Sequence, residues 1–353
     1  MMIEKELAEC LQIEKLTPWL SEYVPELGDG PLQAEVLSGG ATNLVCKISC
    51  GGEVAALRRP AIKKRGDDDR IMDREARVLE ALKGSEVPHP RFIGHCDDKS
   101  VMGASFYLME LVDGWQSAGA NACPPPFDQP GEHRRNMAFA LIDGIAELSK
   151  VDYLEVGLAG FGKPEGFLER QVDRWLYQFN SYKESDGYEG RKIDELDYVA
   201  DWLQDNRPDH YAKGIMHGDY GFANVIYHHG TPTRLAAIID WELCTVGDPM
   251  LDLGFLVYNF RGREGTNPTG NYFDPTDFPY REEMVARYAE NTGADVSQLT
   301  YYMVLAQFKL ASLLEGHYAR YLAGKQEKGK GMSLGGMVQP LIHTAAEMAR
   351  QGR

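Results

Sequence analysis

The chain has 353 residues, with 37 Lys plus Arg against 53 Asp plus Glu and a formal net charge of −16. That balance argues against a protein that neutralises a nucleic-acid backbone or sits on an anionic membrane surface, since each needs a basic face. With 43% hydrophobic residues the chain can bury a core, so a disordered protein is excluded, and its length suits about two domains or one two-lobed domain.

The first residues, Met1 to Glu6, carry charges where a secretory leader needs an apolar run. No stretch approaches the roughly 18 to 20 apolar residues of a membrane span. Residues 3–20 have helical spacing, with Leu7, Cys10, Leu11 and Leu16 as the apolar line. Two strand-like runs, 34–37 and 44–49, flank the small-residue loop Ser38-Gly39-Gly40-Ala41-Thr42-Asn43. Gly51-Gly52 then turns the chain into a third run, 54–58, which makes an antiparallel meander. The six cysteines, at 10, 46, 50, 96, 123 and 244, show no CxxC spacing. They form neither a zinc ribbon nor a disulfide scaffold, and a reducing cytoplasm is the simpler setting.

The pattern predicts a helix over 67–83, with Asp67, Asp68 and Asp69 at its positive end and Ile71, Leu79 and Leu82 as its stripe. Glu75 lies on that same inward face. From the helix alone it reads as a stripe-edge carboxylate reaching for solvent. Another strand-like run, 106–112, ends at Asp113-Gly114. Beyond the loop 116–131 the pattern is helical, at about 132–149, 165–182, 193–206, 281–291 and 299–322. Two short strands interrupt it, 224–227 and 235–241, joined by a turn at His228 to Pro232, and a second long loop covers 261–280. The expectation is a small sheet-rich lobe, residues 1–112, and a larger helical lobe, 113–353, with a cleft between them. The run Gly324 to Lys330 nearly matches a phosphate-binding P-loop, but Gly331 stands where Ser or Thr is required, so it reads as a flexible basic loop.

Chemistry concentrates in two segments. His217-Gly218-Asp219 is followed five positions after the Asp by Asn224; sixteen residues later Ile238-Ile239 runs into Asp240-Trp241-Glu242, then Asp248 and Asp252. Phosphoryl transfer from Mg-ATP needs one carboxylate beside the acceptor hydroxyl, and an Asn and a second carboxylate on the metal that bridges the phosphates. Mg²⁺ prefers oxygen donors, which suits this set.

With these motifs the chain resembles the aminoglycoside phosphotransferase and choline-kinase-like small-molecule kinases over nearly its whole length, and within them the kinase-like domains associated with acyl-CoA dehydrogenases. The segments Leu37 to Leu44, Leu57 to Pro60, Asp73 to Leu79, Phe106 to Glu110, Gly157 to Gly166, His217 to Asn224 and Ile239 to Leu253 carry the resemblance. It implies an α+β, two-lobed protein-kinase-like fold and an ATP-dependent phosphotransferase acting on a small-molecule hydroxyl, with ATP and Mg as cofactors. Asp219 would be the catalytic base, with His217 bracing its loop. Asn224 and Asp240 would hold Mg²⁺. Ser38, Gly39, Gly40, Thr42 and Asn43 would cover the phosphates. Glu75 would anchor the basic residue of the third strand, and Glu110 to Val112 would meet the adenine. Asp248 and Asp252 would be structural.

Two departures stand out. Arg58 occupies the position where the family has Lys, and the two are not interchangeable on phosphate. His-Gly-Asp replaces the His-Arg-Asp of protein kinases, which points to a small-molecule acceptor and a site that needs no phosphorylation. The acyl-CoA-dehydrogenase association suggests a hydroxyacyl-CoA or hydroxy acid acceptor, with Arg261 and Arg263 as candidates to meet a CoA. Glu315, Asp194 and Glu195 would instead suit an aminoglycoside or choline-like cation. A nucleotide-binding pseudokinase module is the reading from another class.

Overall fold

The computed structural model describes residues 5–39, 43–61, 68–117, 123–263 and 276–352. The N-terminal part begins with two helices, α1 (Lys5–Leu11) and α2 (Ile13–Tyr23), and continues through strands β1 (Gln33–Gly39), β2 (Asn43–Ser49) and β3 (Val54–Pro60). Helix α3 (Asp68–Ala81) follows, then β4 (Phe92–Cys96), the short α4 (Lys99–Met102) and β5 (Phe106–Glu110). The strands form an antiparallel sheet in the order β1-β2-β3-β5-β4. The predicted first helix is broken at Gln12, whose φ of 47° interrupts the turn.

Side-chain alternation gives this sheet two different faces. Cys46, Ile48, Leu57, Phe106 and Leu108 point one way and bury against Leu16 and Leu20 of α2. On the other face Arg58 lies directly opposite Tyr107 in the β3–β5 register. That parity aims Arg58 and Tyr107 at α3. Met72, Ala76 and Leu79 of α3 are spaced three or four apart and join the core of the C-terminal part rather than that of the sheet.

The C-terminal part contains α5 (Glu132–Lys150), α6 (Gln171–Ser181), α7 (Leu196–Asp205), α8 (Met250–Val257), α9 (Arg281–Thr292), α10 (Leu299–Leu322), α11 (Lys328–Gly336) and α12 (Val338–Gln351). Two small ribbons lie on it, β6 (Gly214–Met216) with β9 (Thr245–Gly247), and β7 (Val225–Tyr227) with β8 (Leu235–Ile238). The expected helix over 165–182 is shorter, preceded by a single turn, Leu168–Arg170.

The Gly324 to Lys330 run is not simply a loop: its last residues enter α11. There Gly331 and Gly335 let the helix cross α10 closely, since a Cβ at either would collide with Tyr321 or Tyr318. Among the described residues, no helix is long and apolar enough to cross a membrane. All six cysteines are free thiols.

Candidate active site

A cleft of about 390 Å³ separates the sheet from the helical part. Val45, Ala56 and Arg58 come from the sheet, Glu110 to Val112 from the segment joining the two parts, and Asn224, Ile239 and Asp240 from the two ribbon segments. The Glu110 N–H donates to the Arg91 carbonyl (2.8 Å), so an adenine contact from Glu110 would use its carbonyl. Ser38 and Gly39 end β1, in register with Val45 and Leu44. Gly40 and Thr42 lie outside the described residues.

Glu75 is fully buried (0% exposed). It does not reach solvent, contrary to what its helix alone suggested. Tyr107 Oη donates to its Oε2 (2.6 Å), and Arg58 Nη2 donates to its Oε1 (3.2 Å). The same Nη2 donates to Asp240 Oδ1 at 2.7 Å. One guanidinium therefore joins the buried carboxylate of α3 to the carboxylate after β8. Burial disfavours the charge on Arg58, but Glu75, Tyr107 and Asp240 more than offset it. Burial pushes the Glu75 carboxyl up, against the pull of Arg58.

The ribbon β7–β8 brings the two motif segments together, and the Ile239 N–H donates to the Asn224 carbonyl (2.9 Å). Asp240 then adopts a left-handed conformation, φ 66° and ψ 63°. This uncommon conformation for a non-glycine residue holds its carboxylate in the cleft. Asn224 Nδ2 donates to the carbonyl of Asp219 (2.7 Å) and to its Oδ2 (3.1 Å). The Asn224 Oδ1 is then the atom available to a cation.

The loop bearing Asp219 is braced from three sides. Asp252 of α8 accepts the N–H groups of His217 (2.6 Å) and Gly218 (2.9 Å). Buried Lys309 of α10 donates to the Gly218 carbonyl. His217 is buried, with Nε2 2.9 Å from the Ile239 carbonyl and Nδ1 accepting from the Asp219 N–H (3.3 Å). Gly218 has φ 87°, and a Cβ there would lie 2.5 Å from the Leu243 carbonyl oxygen. The residue between His217 and Asp219 must be glycine for this loop to close. Asp248 accepts the Met250 N–H (3.0 Å) at the start of α8.

Sequence reasoning missed Glu242 as a site residue. It sits on the turn Trp241–Leu243 and accepts from Asn43 Nδ2 (3.3 Å). Oxygens of Glu75, Asp240 and Glu242 lie within 4.8 Å of one another. Burial, then Asp240, pushes the Glu242 carboxyl up. Its position two residues after Asp240 was the available signal. The partly exposed oxygen donors Asp219, Asn224, Asp240 and Glu242 fit a hard divalent cation such as Mg²⁺.

A second pocket, about 290 Å³, opens from Asp219 and Asn224 into apolar surface formed by Phe255, Phe260, Leu310, Leu314 and Leu341. The acidic residues considered for a cationic acceptor are engaged elsewhere. Glu315 is buried against Arg191 (2.5 Å) and Tyr188, Glu195 binds His343 (2.8 Å) and Arg350, and Asp194 pairs with Lys192 (3.1 Å). Arg261 lies over the Tyr280 ring, 4.7 Å from its centroid, and the Arg263 N–H donates to Glu282 (3.3 Å).

An antiparallel sheet with one inward helix, a helical C-terminal part and a cleft between them that gathers Arg, Asn and carboxylates make a two-lobed, kinase-like α+β fold. The chain belongs to the phosphotransferase enzyme family, whose model matches residues 33–285. It is 29% identical over 335 residues to acyl-CoA dehydrogenase family member 11 of Gallus gallus, covering 93% of this chain and 42% of that protein. The human protein of the same name is 28% identical, over 99% of this chain and 45% of its own length. The chain thus spans less than half of these relatives. Among solved structures, a Ralstonia eutropha protein assigned as an aminoglycoside phosphotransferase superposes with a TM-score of 0.81 at 27% identity, covering 96% of this chain and 98% of the other.

Proposed function

We propose that the chain is an ATP-dependent phosphotransferase whose acceptor is a hydroxyl on an apolar, acyl-type small molecule. The observation that carries this reading is the apolar pocket that opens directly on the Asp219 carboxylate. A hydroxyl held there with its hydrocarbon among Phe255, Leu310 and Leu314 would lie beside Asp219, the one carboxylate among the described residues of that lining. Asp219 orients the hydroxyl and accepts its proton, and Asn224 fixes the carboxylate for that task. Backbone groups of Glu110 to Val112 meet the adenine. Arg58 contacts the phosphates, and Asn224, Asp240 and Glu242 hold Mg²⁺. Bound there, Mg²⁺ supplies positive charge to the triphosphate.

A hydroxyacyl-CoA or hydroxy acid fits the pocket better than an aminoglycoside or choline-like cation, because Glu315, Glu195 and Asp194 already have partners. The names of the curated relatives, acyl-CoA dehydrogenase family members, point the same way. Residues 1–112 form the nucleotide lobe, residues 113–353 the acceptor lobe, and the six free thiols suit a cytoplasmic setting.

A second reading, a nucleotide-binding module without turnover, draws on Arg58, whose guanidinium occupies the Asp240 carboxylate. Mg-dependent ATP consumption across hydroxyacyl-CoAs, hydroxy acids, amino-alcohols and aminoglycosides separates the two. Turnover with a hydroxyacyl substrate, lost in Asp219→Asn while the ATP-induced melting shift persists, is the expected result. A normal shift with no turnover for any acceptor overturns the enzyme reading.

A further inference from the structure

A third concavity, about 480 Å³, shares no lining residue with the cleft or the apolar pocket. Its lining includes five cationic side chains, Arg70 and Arg74 of α3, Lys163 and Arg170 of the segment before α6, and Arg174 of α6, and among the described residues no carboxylate. The chain as a whole is strongly acidic, at −16. Arg70 and Arg74 are four residues apart on one helix, and Arg170 and Arg174 four apart across the start of another. Like charges at that spacing repel. Two such pairs converging on one hollow concentrate positive charge there, which favours an anion.

The pocket is also a shaped one. Arg74 donates to the carbonyls of Phe161 (3.0 Å) and Cys244 (3.0 Å), and its guanidinium stacks on the Phe161 ring at 4.0 Å. Arg170 donates to the Glu165 and Lys163 carbonyls. Burial, together with Arg70 and Arg77, holds the Arg74 guanidinium below its ordinary value.

One stack separates this hollow from the catalytic loop. The Arg174 guanidinium lies 4.9 Å from the Trp175 ring centroid, Lys309 Nζ lies 5.9 Å from the same centroid, and Lys309 donates to Gly218, next to Asp219.

We infer that this arginine-lined hollow is a phosphate-binding site, separate from the nucleotide cleft, that takes a multiply charged phosphoryl or pyrophosphoryl group. A lone carboxylate would satisfy one guanidinium. Arg74 and Arg170 already give their terminal N–H groups to backbone carbonyls, so they act through charge, and five cations around one volume match an anion that carries more than one negative charge. The group is either the phosphorylated end of the acceptor or a free phosphorylated ligand, and binding does not depend on which.

The test uses the full chain with Mg²⁺ and a non-hydrolysable ATP analogue at saturation, so that the cleft is filled; the melting shift given by the analogue alone verifies that. Inorganic pyrophosphate and coenzyme A are then titrated by calorimetry against the wild type and against Arg70→Gln/Arg174→Gln, two exposed positions. The expected result is binding to the wild type, at least tenfold weaker binding to the double variant, an unchanged shift with the analogue, and an unliganded melting temperature within a few degrees of wild type. Equal affinities in the two proteins, or no binding of either probe to the wild type, overturns the site. The variant also identifies the source. A severalfold rise in KM for a hydroxyacyl-CoA, with KM for the free hydroxy acid unchanged, assigns the site to the acceptor. Both constants unchanged with pyrophosphate binding lost assigns it to a free ligand. Absence of a shift with the ATP analogue would instead count against the phosphotransferase reading, and leaves the pyrophosphate titration as the measure of this site.

Discussion

The guanidinium of Arg58 lies 2.7 Å from Asp240 and also bonds Glu75, so a single side chain spans the sheet, α3 and the ribbon segment. A lysine ammonium is a point charge and cannot serve both carboxylates in the same way. Arg58→Lys is expected to keep nucleotide binding with kcat/KM for ATP lowered by about tenfold or less, and to melt a few degrees lower. Arg58→Ala leaves Glu75 buried without its cation, with the Tyr107 hydroxyl still bonded to it, and is expected to cost about 3–5 kcal/mol in chemical denaturation. Pairing it with Glu75→Gln should recover much of that loss. A double variant as unstable as Arg58→Ala would sink the account.

Asp240 and Glu242 are expected to set the metal requirement. Asp240→Asn should raise the Mg²⁺ concentration for half-maximal turnover by more than about tenfold, and Glu242→Gln by a smaller factor, in the range typical of altered ligand and supporting shells. Because Asp240 also holds Arg58, its variant should weaken the ATP-induced melting shift, while Glu242→Gln should not. Equal Mg²⁺ dependence in wild type and Asp240→Asn would remove Asp240 from the metal site.

Leu314 lines the apolar pocket at its buried side. Leu314→Trp should fill that volume and raise KM for long-chain acceptors by about tenfold, with short ones unaffected, in keeping with the worth of one or two methylenes in a hydrophobic pocket. A uniform change across chain lengths would mean that the acyl chain lies elsewhere.

Asp248 gives a pH signature. Burial pushes its carboxyl up to about 6, and it is fully buried. A carboxyl raised in the folded state binds its proton more tightly there than in the unfolded chain. The resulting stabilisation is present at low pH and is lost as pH rises from about 4 to about 6. Each pKa unit is about 1.4 kcal/mol, so the wild type should lose roughly 2 kcal/mol across that window, and Asp248→Asn should lose much less. Parallel stability–pH curves for the two proteins would contradict this.

The meander, the two motif segments and helices such as α3 and α5 were legible because each has a local cause: a 3.6-residue stripe, an alternating strand, a glycine turn; α8, α11 and α12 were not read from the sequence. Leu299–Leu322 was legible for another reason: its long apolar run exceeds a strand's length and is buried on nearly every side. The three-residue strands β6 and β9 have no periodicity to read, and they exist only because Ile215 pairs with Val246 across the chain. Glu75 was ambiguous for the same reason. Its helix offers a polar residue in an apolar stripe, and only Arg58 and Tyr107, arriving by strand register, explain its burial. The need for glycine at 218 depends on the Leu243 carbonyl, twenty-five residues away. The two-sided role of Arg58 required three-dimensional proximity that no spacing encodes.

Helix α3 packs with the helical part, and Arg74 and Arg77 reach carbonyls of Phe161, Cys244, Gly157 and Ala159 there. In kinases that are switched by moving the corresponding helix, the Glu it carries swings away from its basic partner. Here that rotation would tear the helix from the larger core. A helix anchored in this way is poorly suited to be the moving part of a switch. On the proposed phosphotransferase reading, turnover would then follow nucleotide and acceptor supply rather than movement of this helix.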